Sequence, residues 1–147
     1  QIKMNEISEL LEKAIRKEDE AYRLFTDYSL KTSDEILKNL FDELSQEALE
    51  HKEELEAIRN KKTDLYKTSG PDDLTNSDFL SNSVPEMNSE IRGVLEFAIS
   101  HAGRGHSFYK KLSSIVQCGE LKKTYDKLAN LELAHKNRLE KFCREDL

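Results

Sequence analysis

The chain has no tryptophan, only two prolines and five glycines, and few runs of β-branched residues. That scarcity of breakers and strand formers excludes a turn-rich β architecture and suits long amphipathic helices. Its two cysteines, Cys118 and Cys143, stand apart with no Cys-x-x-Cys, so neither a zinc knuckle nor a rubredoxin-type iron site is encoded. Two isolated thiols fit a reducing compartment. No apolar run approaches about 18 residues, which excludes a membrane-spanning helix, and no signal-peptide pattern opens the sequence. Gln1 is not a translational start, so native residues are expected before it. A cytoplasmic location is expected. A basic surplus is also missing: 23 Lys and Arg face 29 Asp and Glu, a formal charge of −6, with the two signs interleaved. Non-specific nucleic-acid binding is excluded on that ground.

What remains is 37% hydrophobic and 35% charged over 147 residues, the size of one all-α domain. Its most informative stretch is 128–139, which carries Glu132 and His135 on an apolar stripe of Leu121, Tyr125, Leu128, Leu139 and Phe142. Three residues along a helix turn a side chain by about 300°, leaving the acid and the imidazole on one face. A buried carboxylate needs a partner, and either its own histidine or a metal ion meets that need.

The surroundings of this stretch occur twice. With a shift of 84 residues, Glu6, Ile7, Leu11, Glu12, Ala14, Ile15, Ser29, Leu37, Lys38, Asp42, Leu44, Leu49, His51, Lys52, Leu55 and Glu56 fall on identical residues. These are 16 matches over 51 positions without a gap, against roughly 3 expected by chance. The chain is an internal duplication, and His51 is the counterpart of His135.

Spacings of three and four predict four helices, over about 2–30, 34–59, 89–116 and 120–144. Glu18 interrupts the stripe of the first helix and His51 that of the second. Ser33 or Asp34 is placed to cap the second helix, making the first turn short and its two helices antiparallel. Residues 60–89 are rich in turn and cap chemistry and read as a crossover, with Leu74, Phe79, Leu80 and Val84 as apolar anchors. Two glycines, Gly103 and Gly105, interrupt the third helix, which is expected to bend there or to approach a neighbour closely. Gly119 is a helix stop before the fourth helix. The organisation is therefore one domain, 1–147, made of a first helix pair (1–59), a crossover (60–89) and a second pair (90–147).

The segments AIRKEDEAYRLF (14–25), LSQEALEHKEELE (44–56), AISHAGRGHSFY (98–109) and LANLELAHKNRLE (128–140) resemble the four helix motifs of the rubrerythrin-like proteins of the ferritin-like superfamily. The resemblance covers nearly the whole chain. It implies a ferritin-like four-helix bundle of two antiparallel hairpins joined by a long crossover, and a di-iron carboxylate centre to which each hairpin gives one Glu and one Glu-x-x-His. Carried over position by position, the ligands present are Glu18, His51, Glu132 and His135. Tyr109 matches a tyrosine the family often keeps near its metals and is the one candidate catalytic side chain.

Two carboxylates of that pattern are missing: Ala48 and Ala102 stand where glutamates belong. Glu47 and His106 are the nearest substitutes, and flank positions are the alternative for both. Two imidazoles and two carboxylates suit iron, zinc or manganese, of which the resemblance implies iron first, and one ion is better supported than two. Three functions stay open. One is a rubrerythrin-type oxidoreductase handling peroxide, fed by an external electron donor because these residues hold no rubredoxin module. Another is a one-metal protein of storage, sensing or delivery. The third is a metal-free helical interaction module. Exchange of helix pairs would make a homodimer.

Overall fold

A computed structural model describes residues 4–61, 91–116 and 119–146. They form four α-helices: α1 (Met4–Lys31), α2 (Glu35–Lys61), α3 (Ile91–Ile115) and α4 (Glu120–Asp146), with no strand among the described residues. The ends fall within a few residues of those predicted. Beyond Lys61 the expected crossover and its four anchors lie outside the described residues, as does Cys118. None of the helices is long and apolar enough to cross a membrane. The helices pair as α1 with α2 and α3 with α4, in two compact units.

In the first hairpin the turn is made by side-chain oxygens. Thr32 N–H bonds back to the Tyr28 carbonyl at 3.1 Å and ends α1. The Thr32 hydroxyl then accepts Asp34 N–H at 3.2 Å, and the Asp34 carboxylate accepts Leu37 N–H at 3.0 Å. Asp34 is thus the N-cap of α2, satisfying one of the amides that every helix start leaves without a partner. Beneath it Leu11, Ala14, Phe25, Tyr28, Leu37, Phe41, Leu44, Leu55 and Ile58 are buried. Each of the larger ones stabilises the fold by about 1.5–3 kcal/mol. The Phe25 and Phe41 rings stack with centroids 6.1 Å apart, tying α1 to α2.

The second hairpin repeats this plan with altered chemistry. Gly119, at φ 98°, takes the left-handed conformation that glycine adopts at little cost, directly before α4. Tyr109 and Tyr125 occupy the positions of Phe25 and Phe41 and stack at 5.9 Å. Leu95, Ala98, Ala102, Leu112, Leu121, Leu128 and Leu139 are buried around them. α3 runs through Gly103 without interruption. A methyl group added at Gly103 would lie 3.6 and 3.7 Å from the stem of Lys136, which is ordinary contact. Crowding by a neighbouring helix therefore does not require glycine at 103.

Each hairpin also carries the same polar clamp near its turn. Ser29 donates to the carboxylate of Asp42, while Lys38 donates to the Ser29 carbonyl at 3.2 Å. In the second hairpin Ser113 donates to Asp126, and Lys122 donates to the Ser113 carbonyl at 2.9 Å. These six residues are three of the identical pairs of the duplication. Their retention has a physical reason: each clamp joins the end of one helix to the first turns of the next.

Candidate metal centre

Glu18 and His51 come from different helices of the first hairpin. Glu18 sits between Ala14 and Ala21 on the buried arc of α1, and His51 between Ala48 and Leu55 on that of α2. Both are buried, with side chains 3% and 11% exposed, and Oε1 of Glu18 lies 3.6 Å from Nδ1 of His51. That separation is too long for a good hydrogen bond.

Glu132 and His135 lie one turn apart on α4. Here Nδ1 of His135 is 3.2 Å from Oε1 of Glu132, with side chains 12% and 8% exposed. The carboxylate accepts and the imidazole donates. The i, i+3 spacing alone accounts for this contact. Each hairpin therefore joins one acid to one imidazole, by a different construction.

Two donor atoms bound to one transition-metal ion at about 2.1 Å, with angles between square and tetrahedral, lie roughly 3.0–3.4 Å apart. The 3.2 Å separation falls within that range, and the 3.6 Å separation lies just above it. The Glu132 and His135 pair thus fits two adjacent positions around a divalent ion as it stands, and the Glu18 and His51 pair would have to close slightly to do so. Among the described residues, no three or more His, Cys, Asp or Glu side chains are gathered as a ready-made cluster.

The other positions singled out in the sequence behave as follows. Ala48 and Ala102 are buried at 5% and 3% exposure, so methyl groups stand where the resemblance expects carboxylates. His106 is half-buried, and its Nδ1 bonds to the Ala129 carbonyl at 2.7 Å. A carbonyl only accepts, so Nδ1 carries the proton, and this bond ties the ring to α4 through that nitrogen. Tyr109 is fully buried. Tyr125 beside it is held far above the usual tyrosine range by burial, and its hydroxyl has no hydrogen-bond partner among the described residues.

Two buried groups escaped sequence reasoning. Lys17 is 2% exposed, with Nζ 3.4 Å from Oε2 of Glu18. His101 is 3% exposed against the Phe97 ring, at 6.1 Å between centroids. They are counterparts in the duplication, and both flank the stripe. The signal was available, since an 84-residue shift aligns Lys17 with His101 two positions after the shared Ala14-Ile15 and Ala98-Ile99 pairs.

No protein-family profile matches the chain, and neither does any curated protein. Among solved structures it is similar to a Thermotoga maritima protein proposed to be a ferritin-like diiron-carboxylate protein, at 22% identity and a TM-score of 0.74, covering 96% of each chain. It is also similar to a hypothetical protein from Pyrococcus furiosus, at 20% identity and a TM-score of 0.71, covering 92% of this chain and 86% of that one. At these identities the likeness is one of fold, and the fold of this chain is ferritin-like and all-α.

Proposed function

We infer that the protein binds one divalent transition-metal ion, iron first among the candidates, through Glu18, His51, Glu132 and His135. The observation that carries this reading is that each hairpin independently buries a carboxylate oxygen beside an imidazole nitrogen, at 3.6 Å in one and 3.2 Å in the other. Two carboxylates balance the charge of a divalent ion, and two neutral imidazoles complete a donor set suited to Fe(II), Zn(II) or Mn(II). The rubrerythrin-like resemblance of the four helix motifs favours iron, and the diiron-carboxylate description of the Thermotoga maritima relative in fold agrees with it.

One ion is preferred to two because the methyl groups of Ala48 and Ala102 supply no donor. Carboxylate-bridged metal pairs stabilise both partners of a two-electron step, and that arrangement lacks its bridge at position 48. Storage, sensing or delivery of one ion is therefore the reading, ahead of peroxide reduction with an external electron donor. A metal-free interaction module is favoured by one observation, that Lys17 already gives Glu18 a cation.

Metal analysis of the purified chain, followed by titration of the stripped protein with Fe(II), Mn(II) and Zn(II), tests the proposal. One ion per chain supports it, two favour the oxidoreductase, and none under metal-replete conditions leaves the interaction module.

A further inference from the structure

Lys17 is a buried group that the four-ligand set does not use. Its side chain is 1% exposed beside that of Glu18 at 3%, and its ammonium is 3.4 Å from Oε2. Consecutive helical residues point about 100° apart, so the lysine stem has to turn inward to make this contact. Lysines near a surface normally extend their stems to keep the ammonium in water. Here the ammonium is held inside. The other oxygen of the same carboxylate faces His51. Glu18 is thus flanked by a cation on one side and an imidazole on the other.

The second hairpin serves as an internal comparison. At the equivalent positions, 84 residues on, Lys17 becomes His101 and Glu18 becomes Ala102. Both replacements are buried at 3%. Where the carboxylate is gone the ammonium is gone too, and the group in its place can be neutral. A buried ammonium without a carboxylate is strongly disfavoured, and so is the reverse. The two positions therefore change together in the sense that keeps each hairpin free of an uncompensated buried charge.

We propose that Lys17 is a built-in cation for Glu18: it holds the carboxylate when no metal does, and metal uptake at Glu18 exchanges the ammonium for the ion. The exchange rests on the metal reading of Glu18, whereas the charge compensation does not. It gives the metal-free hairpin an ordered, neutral interior. It also weakens metal binding, because an incoming ion meets a like charge at close range.

The test uses the full chain as wild type, Lys17→Met, Glu18→Gln and the double variant, each stripped of metal, melted, and titrated with Mn(II) by calorimetry. Lys17→Met is expected to melt roughly 10 °C lower, because it leaves a buried carboxylate without its cation. The double variant is expected to recover much of that loss, and this recovery is the readout if Lys17→Met alone does not fold. With Glu18 intact, Lys17→Met is expected to bind Mn(II) about tenfold tighter or more. Tighter binding by Lys17→Met than by wild type, including binding seen in that variant alone, supports the exchange. Unchanged or weaker binding overturns it. If neither protein binds metal, the metal reading and the exchange fall together, and the melting cycle still decides the compensation. Additive melting shifts with no recovery in the double variant overturn the compensation.

Discussion

Asp19 on α1 and Lys52 on α2 are joined by an ion pair at 3.0 Å, and 84 residues later Gly103 faces the stem of Lys136 with no side chain to offer it. The duplication kept the lysine and lost the acid. Lys136 turns along its own helix to Glu140 at 3.2 Å. Gly103→Ala is expected to stabilise the protein by about 1 kcal/mol, since alanine is the better helix former and the added methyl meets only ordinary contacts. Gly103→Asp should couple to Lys136 by less than about 1 kcal/mol, as partly exposed pairs do. Thermal unfolding of the single variants, and a double-mutant cycle with Lys136→Met, check both values. A melting point lowered by Gly103→Ala would contradict the first.

The Asp19 pair also fixes a dependence on acid. The hydrogen bond from Lys52, ahead of that from Arg23, holds the Asp19 carboxyl below its ordinary value. A depressed folded-state pKa contributes stability above the unfolded value of about 3.9, and this is lost as pH falls through the folded value. The stability difference between wild type and Asp19→Asn should therefore be constant above about pH 5 and shrink below pH 4. Denaturant titrations across that range measure it, and a difference that persists at the lowest pH contradicts the pairing.

At the alkaline end the buried tyrosines take over. Burial, with a smaller effect from Asp27, pushes the Tyr28 hydroxyl up to about 12. A tyrosine whose folded pKa is raised binds more protons folded than unfolded, so stability falls as pH rises from about 10 toward the folded value. Tyr28→Phe should lessen that fall, as read from alkaline unfolding curves. An identical fall in the variant would rule out Tyr28 as its source.

Tyr125→Phe is expected to be neutral or stabilising by up to about 1–3 kcal/mol. It keeps the stack on Tyr109 and removes a buried hydroxyl without a partner among the described residues. Phe41, its equivalent, already makes the same kind of stack with a phenyl ring. Tyr125→Ala should instead cost about 3–5 kcal/mol. Chemical denaturation separates these outcomes, and a large loss in Tyr125→Phe would mean that the hydroxyl has a partner.

Much of this architecture was legible because periodicity and duplication agree. The stripe placed Glu18, His51 and Glu132 on buried arcs, and the i, i+3 rule placed His135 beside Glu132. A cap at Ser33 or Asp34 was readable from type and position, and the bond to Leu37 N–H assigns it to Asp34. The interaction made by Lys17 was not, because a helical wheel records where a stem leaves the backbone and a lysine stem can turn inward from there. The clamp of Ser29, Lys38 and Asp42 was visible only as identities. A sequence match shows that residues were retained together, and the geometry of the turn shows what they do. The glycine at 103 was expected to mark a bend or a close approach. Its neighbour proves to be the flexible end of Lys136, which tolerates a methyl group.

The most direct test of the central claim is the stoichiometry and affinity of metal binding in wild type, His51→Ala, His135→Ala and His106→Ala. The account predicts one divalent ion per chain in wild type, and binding weakened at least about a hundredfold when either His51 or His135 is removed. His106→Ala should leave binding nearly unchanged, because His106 is the counterpart of Tyr22 at the flank of the stripe and is not one of the four assigned ligands. Metal binding that survives loss of both His51 and His135, or that fails only when His106 is removed, would contradict the assignment.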